Sequence, residues 1–191
     1  MKKVYIIHGW DFKPESNWYP WLKKELEAEG FEVIIPEMPK TEEPDIETWV
    51  NHLAEAVKDP GLGTYLVGHS IGCQAIMRYL ETLDNIQIGG AVFVAGWFCL
   101  KNLEGEEVEK IAEPWLNTPI NLGNVKKAIG NLKVFLSDND PYDCLEENSK
   151  IFKEQLGAKV IIEKGKGHFT SDDGVQSLPE ALEALRSLLR P

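Results

Sequence analysis

Gly68-His69-Ser70-Ile71-Gly72 has the spacing G-x-S-x-G, in which a serine can act as a nucleophile. A serine hydroxyl attacks poorly until a neighbouring base takes its proton, and that base needs an acid to fix its tautomer and stabilise its charged form. The pentapeptide also needs a backbone that exposes the hydroxyl. Thr64-Tyr65-Leu66-Val67 before it is short, apolar and β-branched enough for a buried strand, and Cys73 to Thr82 after it carries apolar residues at helical spacing. A sharp strand-turn-helix there would hold the serine in strained geometry. It would also bring the residues two before and two after it so close that side chains collide, hence two glycines. Alone, the pattern is common and fits an ordinary glycine-rich turn; the flanking strand and helix raise its weight.

After a serine on such an elbow, the acid comes next in the chain and the histidine last. Of His8, His52, His69 and His168, only His168 follows Ser70. It sits in Gly165-Lys166-Gly167-His168-Phe169, directly after the last strand-like segment, at the end of a sheet where ligand crevices form. A lone loop histidine is ordinarily a solvated surface residue, but position, flanking glycines and uniqueness favour the base. The acid should follow Leu132–Ser137, where the chain offers Asp138, Asn139, Asp140, Pro141, Tyr142 and Asp143. Asp140 is preferred because Pro141 favours a turn that aims its carboxylate across the strand ends; Asp138 and Asp143 stay open. The developing oxyanion needs donors as well. The Ile71 N–H follows from the elbow, and the Trp10 N–H is the second candidate, in the loop His8-Gly9-Trp10-Asp11-Phe12 after the first strand.

Positioning these groups takes an alternation of strands and helices. Strands are predicted near Lys3–Ile7, Phe31–Ile35, Thr64–Val67, Gly90–Ala95, Leu132–Ser137 and Lys159–Glu163. Helices are predicted near Trp18–Glu29, Ile46–Lys58, Ile71–Leu83, Leu145–Leu156 and Leu178–Leu189. The alternation implies a single α/β domain over residues 1–191 with a parallel sheet covered on both faces. Asp45 should cap the second helix, Ser177 with Glu180 reads as a capping box for the last, and Gly30 and Gly157 stand where helices should stop. The long stretch 97–130 is either a short lid or pocket wall or a surface helical hairpin, with Trp97 and Phe98 as candidate pocket residues. Trp18, Trp21 and Trp49 sit beside apolar neighbours and read as core, whereas the Trp10 ring should lie near a substrate.

Composition excludes several classes. A net charge of −11 repels nucleic acid and anionic lipid. No apolar run reaches spanning length and no signal-peptide core follows Met1-Lys2-Lys3, so a soluble, cytoplasmic protein without membrane association is expected. Cys73, Cys99 and Cys144 are odd in number and have no metal-ligand spacing, which fits a reducing compartment. No metal or organic cofactor is expected. Cys73, near Ser70 on the same helix, reads as a small core residue rather than a nucleophile.

The chain resembles the α/β-hydrolase superfamily, and within it the small serine hydrolases grouped with the bacterial YdeN proteins and the eukaryotic retinoblastoma-binding hydrolases. The likeness rests on Val4-Tyr5-Ile6-Ile7-His8-Gly9, Asn17-Trp18-Tyr19-Pro20-Trp21-Leu22, Tyr65 through Cys73, the Asp140 turn and Gly167-His168-Phe169. It implies a compact three-layer α/β-hydrolase fold with about six parallel strands, lacking the first two strands of larger members, and triad roles for Ser70, Asp140 and His168. Relatives tend to carry a valine-proline-like pair after the acid's turn where this chain has Asp143-Cys144. Pocket-protein binding through L-x-C-x-E is not carried over, because Tyr142 stands where leucine is required. The expected activity is hydrolysis of a small ester, thioester or amide, best with short acyl groups; the alternative is a non-enzymatic protein-binding module that retains the fold.

Overall fold

The computed structural model describes residues 2–189. Six strands form one sheet: β1 (Lys3–Ile7), β2 (Glu32–Ile34), β3 (Thr64–His69), β4 (Gly90–Val94), β5 (Leu132–Ser137) and β6 (Lys159–Glu163). All pairings are parallel, in the order β2-β1-β3-β4-β5-β6. The seven helices are α1 (Tyr19–Ala28), α2 (Ile46–Ala56), α3 (Ile71–Glu81), α4 (Glu106–Asn117), α5 (Leu122–Ile129), α6 (Leu145–Glu154) and α7 (Pro179–Leu189).

Alternation along each strand builds two cores, because successive side chains point to opposite faces. Val4, Ile6, Val67, Val92 and Phe135 pack with Leu22 and Leu26 of α1 and Leu182 and Leu185 of α7. Tyr5, Ile7, Leu66, Phe93 and Val134 pack with Trp49 of α2, Ile76 of α3, Ile129 of α5 and Phe152 of α6. This is the three-layer α/β-hydrolase fold. Trp18 and Trp49 are fully buried, so they serve the cores as their spacing implied.

The strand order reverses direction between β1 and β3. Loops that leave neighbouring strands at such a switch diverge and open a crevice beyond the carboxyl ends. The β1 loop carrying Trp10 and the β3 turn carrying Ser70 therefore flank one cleft.

Most predicted ends hold within two residues. Asp45 caps α2 by accepting from the Thr48 N–H at 2.9 Å, and Gly30 and Gly157 take positive φ after α1 and α6. The box before α7 does not form. The helix starts at Pro179, which has no N–H to cap, and Glu180 Oε2 is buried without a hydrogen-bond partner.

The 97–130 stretch is an irregular segment followed by α4 and α5. Ala112 and Trp115 anchor α4, and the Trp115 indole N–H donates to the Pro44 carbonyl at 2.9 Å. Cys99 at the root of this excursion is disulfide-bonded to Cys144, with Cα atoms 5.8 Å apart. Two of the three cysteines read as fitting a reducing compartment are thus paired; Cys73 is free, and burial pushes its pKa up. Among the described residues, no helix is long and apolar enough to cross a membrane.

Candidate active site

Ser70 joins β3 to α3 with φ 53° and ψ −122°, a region costly for a residue with a side chain. The turn is held by surrounding bonds: the Ser70 N–H donates to the Val94 carbonyl at 2.9 Å, and its own carbonyl accepts from the Cys73 N–H at 3.0 Å. The two glycines are required for a reason that differs from the expected mutual collision. A Cβ on Gly68 would lie 2.9 Å from the backbone of Cys73, and one on Gly72 would lie 2.4 Å from the Ile7 carbonyl oxygen of the adjacent strand. Gly72 thus lets α3 press against β1, and Gly68 lets the chain fold back over its own elbow.

The structure brings Ser70, His168 and Asp140 into one hydrogen-bonded chain. His168 Nε2 lies 2.8 Å from Ser70 Oγ, and His168 Nδ1 lies 2.8 Å from Asp140 Oδ2. A carboxylate only accepts, so Nδ1 carries the proton and Nε2 is left to take one from the serine. The Asp140 turn closes on itself, Oδ1 accepting from the Tyr142 N–H at 3.1 Å, which fixes the carboxylate's angle. Of the other acids considered, Asp138 accepts from the Gly165 N–H at 2.8 Å and so braces the base loop, while Asp143 is exposed with φ 43°.

Ile71 is the first residue of α3, so its N–H is among those with no intrahelical acceptor, and the residue lines the same crevice as the serine. The Trp10 loop is supported from below by His8. That ring donates from Nδ1 to the Gly9 carbonyl at 3.0 Å and accepts at Nε2 from the Met38 N–H at 3.0 Å. The Trp10 indole N–H donates to the Glu42 carbonyl at 3.0 Å, tying the loop to the segment before α2.

A cavity of about 530 Å³ opens over Ser70 and His168. Trp10, Trp97, Leu100, Leu103, Val108 and Ile111 form its apolar wall, so the inward face of α4 lines it at Val108 and Ile111, and Trp115, one turn further along the same face, anchors the helix. Residues of the 97–130 stretch thus line the cavity, and α4 and α5 make up most of the rest of it. Phe98 is corrected: it does not line this cavity. Its ring centroid lies 4.9 Å from that of Phe152, and its N–H donates to Asn148 Oδ1 at 2.8 Å. Asp11, Glu42, Glu43, Glu107 and Asp173 rim the cavity, and its lining contains no lysine or arginine. Among the described residues, no group of three histidines, cysteines or acids is placed to hold a metal ion.

Several groups that shape the site carry no motif of their own in the sequence. Asp173 Oδ2 accepts from the N–H of His168 at 2.9 Å and of Thr170 at 3.0 Å, and Asn139 Oδ1 accepts from the Gly167 N–H at 2.9 Å. Together they shape the base loop. Gly165 and Gly167, with φ 65° and 52°, are the residues whose type signals that geometry. The Tyr142 ring stands edge-on to His168, centroids 5.0 Å apart.

His69 is fully buried, and burial, then His168 nearby, holds its pKa down to about 3. Between its ordinary 6.5 and 3 the unfolded chain binds a proton that the folded chain does not, so stability falls as pH drops through that window. Wild-type protein is expected to lose about 2 kcal/mol from this group between pH 7 and pH 5. His8, also held low by burial, adds in the same direction. Urea unfolding at the two pH values measures this; a His69→Gln variant with the same loss as wild type would refute it.

The family model for serine hydrolases matches residues 4–187. The YdeN protein of Bacillus subtilis strain 168 is 33% identical over 190 residues, covering 97% of this chain and 95% of that protein. The serine hydrolase RBBP9 of Rattus norvegicus is 27% identical, covering 92% and 88% of the two chains. The crystal structure of the B. subtilis ydeN gene product superposes with a TM-score of 0.90 at 31% identity over the full length of both.

Proposed function

We propose, given that this chain belongs to the serine hydrolase family, that it hydrolyses a small uncharged or cationic ester or amide through an acyl-enzyme on Ser70. The observation that carries the reading is the unbroken sequence of 2.8 Å contacts from Asp140 through His168 to Ser70 at the floor of an apolar cavity. His168 takes the Ser70 proton as Oγ attacks the acyl carbonyl, and the imidazolium formed is stabilised by Asp140. The Ile71 and Trp10 N–H groups hold the oxyanion. His168 then gives its proton to the leaving group, and water, activated by the same base, releases the carboxylic acid and restores the serine. No metal or cofactor enters these steps. A binding module that merely retains the fold would have no use for a strained serine aimed at an oriented base.

Two features of the cavity set the substrate. Each buried methylene contributes roughly 0.8 kcal/mol, so binding should improve with acyl length until the α4 wall is met. The aliphatic wall leaves more room than one built from aromatics alone, which moves the expected optimum from the shortest acyl groups to medium ones. The acidic rim disfavours anions, including thioesters of polyanionic carriers.

The test is fluorophosphonate labelling of the purified protein, with kcat/KM for neutral esters of increasing acyl length and for a matched series ending in a carboxylate. Labelling, a maximum at medium length and a several-fold handicap for the anionic series that shrinks with added salt are expected. Absence of labelling and turnover overturns the hydrolase reading; a preference for anions overturns the rim's role.

A further inference from the structure

His69 stands next to the nucleophile, is fully buried and is not part of the cavity lining, yet both of its ring nitrogens are engaged. Nε2 lies 2.8 Å from the main-chain oxygen of His168. A carbonyl can only accept, so Nε2 carries the hydrogen and Nδ1 is bare. Nδ1 therefore accepts from the Tyr19 hydroxyl at 2.6 Å. The Tyr19 oxygen in turn accepts from the Gly9 N–H and from Asn17 Nδ2, each at 3.3 Å. Asn17 Oδ1 accepts from the Ser171 N–H at 2.8 Å.

These bonds run without a gap from the loop after β1, through the elbow, to the loop after β6. Their direction is forced. A second proton on His69 would ask the tyrosine oxygen to accept from three donors with two lone pairs. The ring is also held face-on to Phe12, centroids 5.8 Å apart and planes at 15°, and edge-on to Trp18.

We infer that His69, acting through Tyr19, is a positioning residue that locks the main chain of His168 and the Gly9-Trp10 loop into one register, so that the base on Ser70 Oγ and the donor to the oxyanion serve the same acyl group. The inference rests on the hydrolase reading above. Its size follows from geometry: a displacement of about 1 Å at a reacting group costs on the order of 10²-fold in rate.

Three variants test it. His69→Phe keeps the ring's volume and loses both bonds. Tyr19→Phe loses the hydroxyl alone, and His69→Gln keeps one donor and one acceptor. With a medium-chain neutral ester, His69→Phe and Tyr19→Phe are expected to lower kcat by roughly 10- to 100-fold while KM changes less than about two-fold, and His69→Gln to recover most of the loss. Affinity for an aryl boronic acid, whose boron takes the Ser70 oxygen and becomes tetrahedral, should fall in step with kcat. Thermal melts identify any variant that does not fold; if His69→Phe fails to fold, Tyr19→Phe carries the test. Unchanged kcat in the folded variants, or equal losses in kcat and in substrate affinity, overturns the inference. A wild type that neither labels nor turns over ester overturns the hydrolase reading instead. The low-field proton resonance of the His168 Nδ1–H bond to Asp140 then decides the positioning role: present in wild type and His69→Gln and lost in Tyr19→Phe if the role holds, and present in all three if it does not.

Discussion

Ser70→Ala is expected to reduce kcat on the order of 10⁶-fold, to the level left by an intact cavity and oxyanion donors, and to abolish fluorophosphonate labelling. The effect is that large because base and acid have no function without the atom they activate, so losing one member forfeits the joint contribution. The fold should survive. The bonds that hold the elbow come from the Ser70 main chain, to Val94 and Cys73, and alanine retains them along with a side chain no larger than serine's. Active-site titration and steady-state kinetics on the purified variant, with its melting temperature as control, provide the check. An alanine variant that still labels at the wild-type rate would place the nucleophile elsewhere.

The second large effect concerns the acid. Asp140→Asn preserves an oxygen for the Tyr142 N–H, so the turn can persist, but it presents an amide N–H to His168 Nδ1. Two donors cannot face each other, and the imidazole is driven to the tautomer with its hydrogen on Nε2, where it can no longer take the serine's proton. A loss of about 10⁴-fold in kcat is expected with little change in KM. Asp138→Asn is the matched control. Its Oδ1 bond to the Gly165 N–H survives in asparagine, and activity should stay within several-fold of wild type. The reverse ranking of the two variants would make Asp138 the acid.

Much of this arrangement is legible in the amino-acid sequence. Short apolar runs such as Val4-Tyr5-Ile6-Ile7 are buried on both faces of a parallel sheet, and that burial writes itself into composition. Ser70 and His168 stand out because the elbow demands glycines at fixed offsets and because one histidine alone follows the serine. Other features depend on what lies across space. Phe98 and Trp97 are neighbours whose side chains separate, one onto Phe152 and one into the cavity, and no local pattern says which goes where. The Cys99–Cys144 bond joins residues 45 apart that meet only because β4 and β5 are adjacent. The Tyr19–His69 contact depends on how α1 packs against the end of β3. The capping box fails because Pro179 sets the helix start one residue beyond the position that the serine and glutamate imply.

The parentage of the cavity is divided. Ser70, Asp140, His168 and the Trp10 loop leave the ends of β3, β5, β6 and β1, whereas the aliphatic wall of Leu100, Leu103, Val108 and Ile111 belongs to the connection between β4 and β5. On the reading proposed above, the reacting groups are held by the sheet, and the surface that selects among substrates hangs from the connection between β4 and β5. Its seam with the acid's turn is narrow: the Lys101 N–H on the Tyr142 carbonyl, Asn102 on the Pro141 carbonyl, and the disulfide. A hydrolase built this way can exchange its substrate range by rewriting Leu103, Val108 and Ile111 alone, leaving the Trp115 anchor, the seam and the chemistry beneath as they are.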